Sequence, residues 1–267
     1  MPASPAPAPH GPRALPAIRQ VSAWRSLHWL RCGWHIFCGH PIEWLLTALV
    51  VFALLGLGTL LVPIPLLGPV FPPLLLAILM GGMLQAADRQ AAGHAPRIED
   101  MLAGIRRHPG KLALVGLFYA IPLILIHLLA YLAISGGLLV SLFGMAIGGS
   151  LQGVLNALLA RLADFGVLLL GLLLLWGLMM QALLLAPALI MRHDLATFDA
   201  MRLALSAGLK NLPAVIVLGL CLYGLLMLAL APLGLGFLIY IPVVAGTIHA
   251  AANELFVTEP IPALEAP

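Results

Sequence analysis

His28, Cys32 and His35 stand at i, i+4 and i+7, so on a helix they share one face, with Cys38 and His40 close behind. Imidazole and thiolate groups so arranged are by chemistry soft-metal or haem ligands. The spacing matches no zinc pattern. Trp24, Trp29 and Trp34 run through the same segment like an aromatic belt at a membrane interface. We therefore read the histidines as interfacial and the cysteines as small apolar residues, and expect no metal or other cofactor. Cys32, Cys38 and Cys221 are too few and too scattered for a disulfide framework.

Ser135-Gly136 and His249 invite comparison with an intramembrane serine protease. Ser135 falls at the far end of one apolar stretch and His249 near the opposite end of another. Their depths differ by roughly 20 Å at 1.5 Å per residue, whereas a nucleophile and its base must sit about 3 Å apart. No glycine-rich phosphate loop, HExxH or CxxC pair occurs, so we expect no catalytic residues and no enzyme. Gln85, His127, Gln181 and His249 are polar groups inside apolar stretches. We expect them to bond helix to helix; the alternative is a polar cavity open to the cytoplasm near Gln85, Gln181 and His249. Glu43, Asp88 and Glu254 lie near the ends of apolar stretches and are expected to reach water.

The elements that must carry these groups follow from composition. Of 267 residues, 62% are hydrophobic and 9% charged. A soluble domain is about 25% charged, so a soluble enzyme and a nucleic-acid binder are excluded. A membrane-crossing helix needs about 20 apolar residues. Six stretches qualify, at residues 42–62, 72–87, 111–134, 166–190, 212–230 and 234–255. Pro72-Pro73 should open the second, and Pro122, Pro187 and Pro242 should kink the helices that hold them. The fold class is an all-α polytopic bundle of six transmembrane helices. Residues 135–165 are less defined: an outer amphipathic helix or an outward extension of the fourth span, with a re-entrant hairpin as the alternative.

The chain has 13 Lys and Arg, of which only Arg161 falls in a loop of the other parity. Cations sort to the cytoplasmic side, so both termini are expected there, in a bacterial inner membrane. Residues 1–20 and 257–267 read as disordered tails around a membrane domain at 21–256.

Three segments share a layout: a short amphipathic stretch, a proline (Pro41, Pro109, Pro213), then a span. Phe37, Ile105 and Leu209 stand four residues before each proline, with Arg31, Arg106, Arg107 and Lys210 beside them. Such stretches are expected to lie in the headgroup plane as interfacial elbow helices. The ends of two spans also agree, Gly82…Gln85…Asp88 with Gly246…His249…Asn253. The six helices thus read as three parallel hairpin repeats.

The opening Trp29-x3-Gly33-Trp34-x2-Phe37-x3-Pro41, the run from Ala186 to Ile190, the elbow from Ala200 to Pro213 and the turn from Pro232 to Gly236 resemble a family of uncharacterised proteobacterial six-helix inner-membrane proteins. More remotely, the layout is similar to the membrane domain that precedes some glycerophosphodiester phosphodiesterases. The resemblance implies location and fold and brings no catalytic residue. The expected role is non-enzymatic contact with membrane lipids, with another membrane protein or with a second copy, through the basic elbows. A small-solute transporter is the second reading and a membrane-embedded enzyme the third.

Overall fold

The structure, a computed structural model, describes residues 15–61, 64, 67–146 and 150–257. Its helices are α1 (Arg25–Gly39), α2 (Pro41–Thr59), α3 (Leu67–Ala91), a 3-10 turn (Ile98–Leu102) leading into α4 (Ala103–Arg107), α5 (Pro109–Ala146), α6 (Leu151–His193), α7 (Thr197–Lys210), α8 (Leu212–Leu230) and α9 (Phe237–Leu255). Six of them contain segments long and apolar enough to cross a membrane: α2, α3, α5, α6, α8 and α9. The chain is therefore an all-α polytopic helix bundle, as the composition required. Pro41 and Pro213 sit in the first turns of α2 and α8, where the missing N–H has no intrahelical partner to lose. Pro72 and Pro73 do not open the second span as expected. That helix begins at Leu67, and the prolines lie inside it.

The helices α3, α6 and α9 touch one another and form the centre, while α2, α5 and α8 stand outside them. The sequence cause is side-chain size. Ala77, Ala86, Ala87, Ala182, Ala186, Ala188, Ala245 and Ala252 are all buried. Small residues let backbones approach where lipid supplies no hydrophobic drive between helices.

Each elbow element packs on a central helix. The 3-10 turn and α4 lie on α3, α7 lies on α6, and α1 lies on α9. The order is cyclic: each later elbow rests on the hairpin before it, and the first closes on the last. A glycine makes each approach possible. A Cβ on Gly33 would meet Val243 and Thr247, and would come within 2.7 Å of the Thr247 amide nitrogen. Gly104 lies likewise against the Ile78 carbonyl, and Gly208 against the Gln181 side chain. These contacts fall well back from the ends of the central helices. Ile78 is 13 residues before Ala91, a distance of roughly 20 Å.

This corrects the expectation for α1. Its apolar stripe does not face lipid. Ser26, Trp29, Gly33 and Phe37 recur at helical spacing and are buried against α9. Ile105 and Leu209, by contrast, are exposed, so the three residues before the prolines do not play one role.

The two ends of the described chain meet. Ala17–Ile18 pairs antiparallel with Phe256–Val257, and the Arg19 amide donates to the Leu255 carbonyl at 2.9 Å. Ordered chain thus begins before the boundary expected at residue 21, while residues 1–14 and 258–267 of the expected tails lie outside the described residues. Buried Asn211 secures the same segment: its Oδ1 accepts from the Val21 amide at 2.7 Å, and its Nδ2 donates to the Arg19 carbonyl at 3.1 Å. We call this side the basic end, since Arg25, Lys111, Arg192 and Lys210 gather there.

Within 135–165, the described residues through Ala146 and from Leu151 belong to two long helices. The α6 helix runs without a break from Leu151 through His193, an extension of the fourth span, and α5 is extended alike to Ala146. No re-entrant hairpin forms among the described residues. With 38 and 43 residues, α5 and α6 are roughly 57 and 65 Å long. That is about twice a hydrocarbon core of about 30 Å. Their excess lies at the end away from the basic one.

Candidate functional site

The last turns of the three central helices bring four polar side chains together. Asp88 comes from α3, Arg192 from α6, and His249 and Asn253, one turn apart, from α9. Arg192 Nη2 donates to Asp88 Oδ1 at 2.6 Å and Nε donates to Oδ2 at 3.3 Å, a two-pronged approach to one carboxylate. Arg192 Nη1 donates to Asn253 Oδ1 at 2.6 Å. His249 Nε2 lies 3.0 Å from Asp88 Oδ1. An ionised carboxylate only accepts hydrogen bonds, so Nε2 carries the proton. Asn253 Nδ2 stands 3.5 Å from the same imidazole. The His249 side chain is 7% exposed, Arg192 19% and Asp88 33%. The carboxylate is thereby enclosed by donors from two neighbouring helices, while its own helix holds it in place. No hydroxyl or thiol takes part. Chemically the arrangement can hold three helix ends in register.

A second tie joins α1 to α9. Glu254 Oε1 accepts from Arg25 Nε and Oε2 from Trp29 Nε1, each at 2.7 Å. The contact with Glu254 pushes the Arg25 guanidinium above its ordinary pKa. A third joins α1, α2 and α3: Trp44 Nε1 donates to Gln90 Oε1 at 2.6 Å, and Gln90 Nε2 donates to the Ile36 carbonyl at 2.8 Å. Lys111 Nζ, at the start of α5, donates to Asp194 Oδ1 at 2.6 Å just beyond the end of α6. Asp194 ends that helix in the left-handed region at φ 53°, which Asp tolerates better than most residues.

The residues singled out by sequence fare differently. His249 bonds between helices as expected. Gln85 Oε1 accepts from Arg107 at 2.9 Å on the exposed surface. Gln181 is buried against Gly208, and its Nε2 has no hydrogen-bond partner among the described residues. His127 is exposed and bonds only to the Leu123 carbonyl of its own helix at 2.7 Å. Gln181 lines an apolar cleft with Met180 and Leu218, from which Gln85 and His249 are absent. His28 Nε2 and Cys32 Sγ are 3.5 Å apart, but no group of three His, Cys, Asp or Glu side chains able to hold a metal forms among the described residues. His35 lines a different groove from His28 and Cys32. Asp88 and Glu254 were expected to be solvated and are instead engaged by partners. Trp29 was expected in an interfacial belt and is instead 1% exposed.

Arg192, Gln90 and Asn211 are working residues that the sequence reading did not single out. One signal was present: the matched ends of the second and sixth spans held both Asp88 and His249. No protein-family model, curated protein or solved structure matches this chain.

Proposed function

We propose that this is a multi-pass protein of the bacterial inner membrane with its basic end and both termini in the cytoplasm. It is built from three related elbow-and-hairpin units. Its role is contact, with membrane lipids and with a membrane protein partner or a second copy, rather than catalysis or solute passage. One observation carries this reading. The polar groups at the basic end of the central helices satisfy one another, whereas Arg31, Arg106 and Lys210 point outward with no ion-pair partner among the described residues. Charge turned inward ties the bundle; charge turned outward is available to an anionic leaflet, where each cation near the surface is worth about 1 kcal/mol. The sorting of cations by loop supports the orientation.

The test combines topology and partner capture. Reporter fusions within residues 90–110 should report cytoplasm. Flux across proteoliposomes should be absent, or unchanged by Gln181→Leu and His249→Leu. Cross-linked partners or vesicle binding should fall when Arg106 and Arg107 become Glu. A substrate-dependent flux lost in Gln181→Leu would install the transporter reading, which the buried, unpartnered Gln181 amide favours.

A further inference from the structure

The helices α8 and α9 are joined by a short turn, and α1 packs as a wedge against both. Above the wedge lies a groove of about 840 Å³, within the roughly 300–1,000 Å³ of small-molecule sites. Its walls are apolar: Leu225 and Leu228 from α8, Ile239 and Tyr240 from α9, and Trp34 from α1. Two basic side chains line it, Arg31 and His35, and no carboxylate does among the described residues. They stand one helical turn apart on α1, the element that closes the groove toward the basic end. The walls come from the halves of α8 and α9 nearer their connecting turn, at Pro232 and Gly236. The groove is therefore polarised, with Arg31 and His35 toward the basic side and hydrocarbon surface leading away from them.

We propose that this groove binds one phospholipid with an anionic headgroup, its phosphate at Arg31 and His35 and an acyl chain between α8 and α9. The inference rests on the membrane reading and makes it specific. Charge complementarity selects the occupant. A protein helix entering the same groove would have to bring its own anion to Arg31, while an anionic phospholipid carries charge and hydrocarbon in this order. A zwitterionic lipid would fill the walls equally well but gain less at Arg31.

The test uses the full chain in neutral detergent, titrated with phosphatidylglycerol, phosphatidylethanolamine of the same chains, or glycerol phosphate, and read by native mass spectrometry. Phosphatidylglycerol should be retained at least fivefold better than phosphatidylethanolamine. Arg31→Gln with His35→Gln should abolish that preference. Ile239→Trp, which fills the groove, should reduce retention of both lipids. Glycerol phosphate alone should neither bind nor compete. In a second arm, which needs no variant, phosphatidylglycerol with a photoreactive group in its tail should label residues 30–35 and 225–243 of the native protein.

A preference unchanged in the folded Arg31/His35 variant overturns the site. So does labelling spread evenly over the outer faces of α2 and α5, competition by glycerol phosphate, or a groove shielded by a cross-linked second copy. If the native protein also shows no vesicle binding and no cross-linked partner, the broader contact reading fails as well; native binding that falls in the Arg106/Arg107 variant keeps that reading while the groove site fails.

Discussion

Replacing Asp88 by Asn tests whether the polar tie among α3, α6 and α9 stabilises the bundle. The change keeps shape but removes the charge and turns one acceptor oxygen into a donor. One side of the new amide would then face Arg192 or His249 donor to donor. The native carboxylate receives Arg192 twice, at 2.6 and 3.3 Å, and His249 at 3.0 Å. Hydrogen bonds to charged groups contribute about 1.5–3 kcal/mol. Breaking a fully buried pair costs about 3–5 kcal/mol, and an exposed one about 0–1. With Asp88 33% and Arg192 19% exposed, the site lies between those limits, so Asp88→Asn should cost about 2 kcal/mol. Arg192→Gln should cost a similar amount. Because the two residues share one interaction, the double variant should fall short of the sum by about 1–2 kcal/mol. The assay is reversible unfolding in mixed dodecyl maltoside and SDS micelles, followed by tryptophan fluorescence. Additive single effects, with coupling below about 0.5 kcal/mol, would show that the ion pair is decoration on a bundle held by packing alone.

Three further outcomes follow from the same geometry. Gly33→Leu should drive α1 off α9, because the added carbons meet the Val243 carbonyl and the Thr247 amide as well as the Thr247 hydroxyl; we expect a loss of about 1–3 kcal/mol, with Trp29 fluorescence shifting as the ring gains contact with water or detergent. Trp29→Phe keeps most of the buried ring yet leaves Glu254 short of one donor, and should cost about 1 kcal/mol in the same unfolding assay; equal stability would deny the bond a role. His127→Leu removes only a bond within one helix on an exposed face, so its unfolding midpoint should stay within about 0.5 kcal/mol of the parent, and a larger loss would place that face against something.

The six spans were legible because hydrocarbon is an undemanding solvent: length and apolarity suffice, and the 212–230 span needed no other information. The elbow before Pro41 was legible as a helix but not as a buried one. Its spacing of Ser26, Trp29, Gly33 and Phe37 is equally what a lipid-facing stripe shows, and only the match of Gly33 to Gly246 and Thr247, more than two hundred residues later in the chain, distinguishes them. The same limit hid Arg192. A cation in the last turn of a helix satisfies the helix dipole wherever it points, so nothing local says that it reaches Asp88. Asn211 reads as an ordinary helix end; its hold on Arg19 and Val21 exists only because the chain returns on itself. Prolines misled most simply, since Pro72-Pro73 suits a helix start and also survives inside the helix.

The closure of the first elbow on the last helix has a consequence for biogenesis. The seat for Trp29 and Gly33 is made of residues 243–254, so while the ribosome is still threading the middle of the chain that seat does not exist. Until the final hairpin has left the insertion machinery the leading segment has its Gln90 bond at Ile36 but not this seat, and only then can Ala17–Ile18 zip to Phe256–Val257 and Arg25 find Glu254. Maturation is therefore gated by the last few dozen residues synthesised. A polypeptide interrupted before Glu254 would insert every preceding helix and still present its amino-terminal face to quality-control proteases.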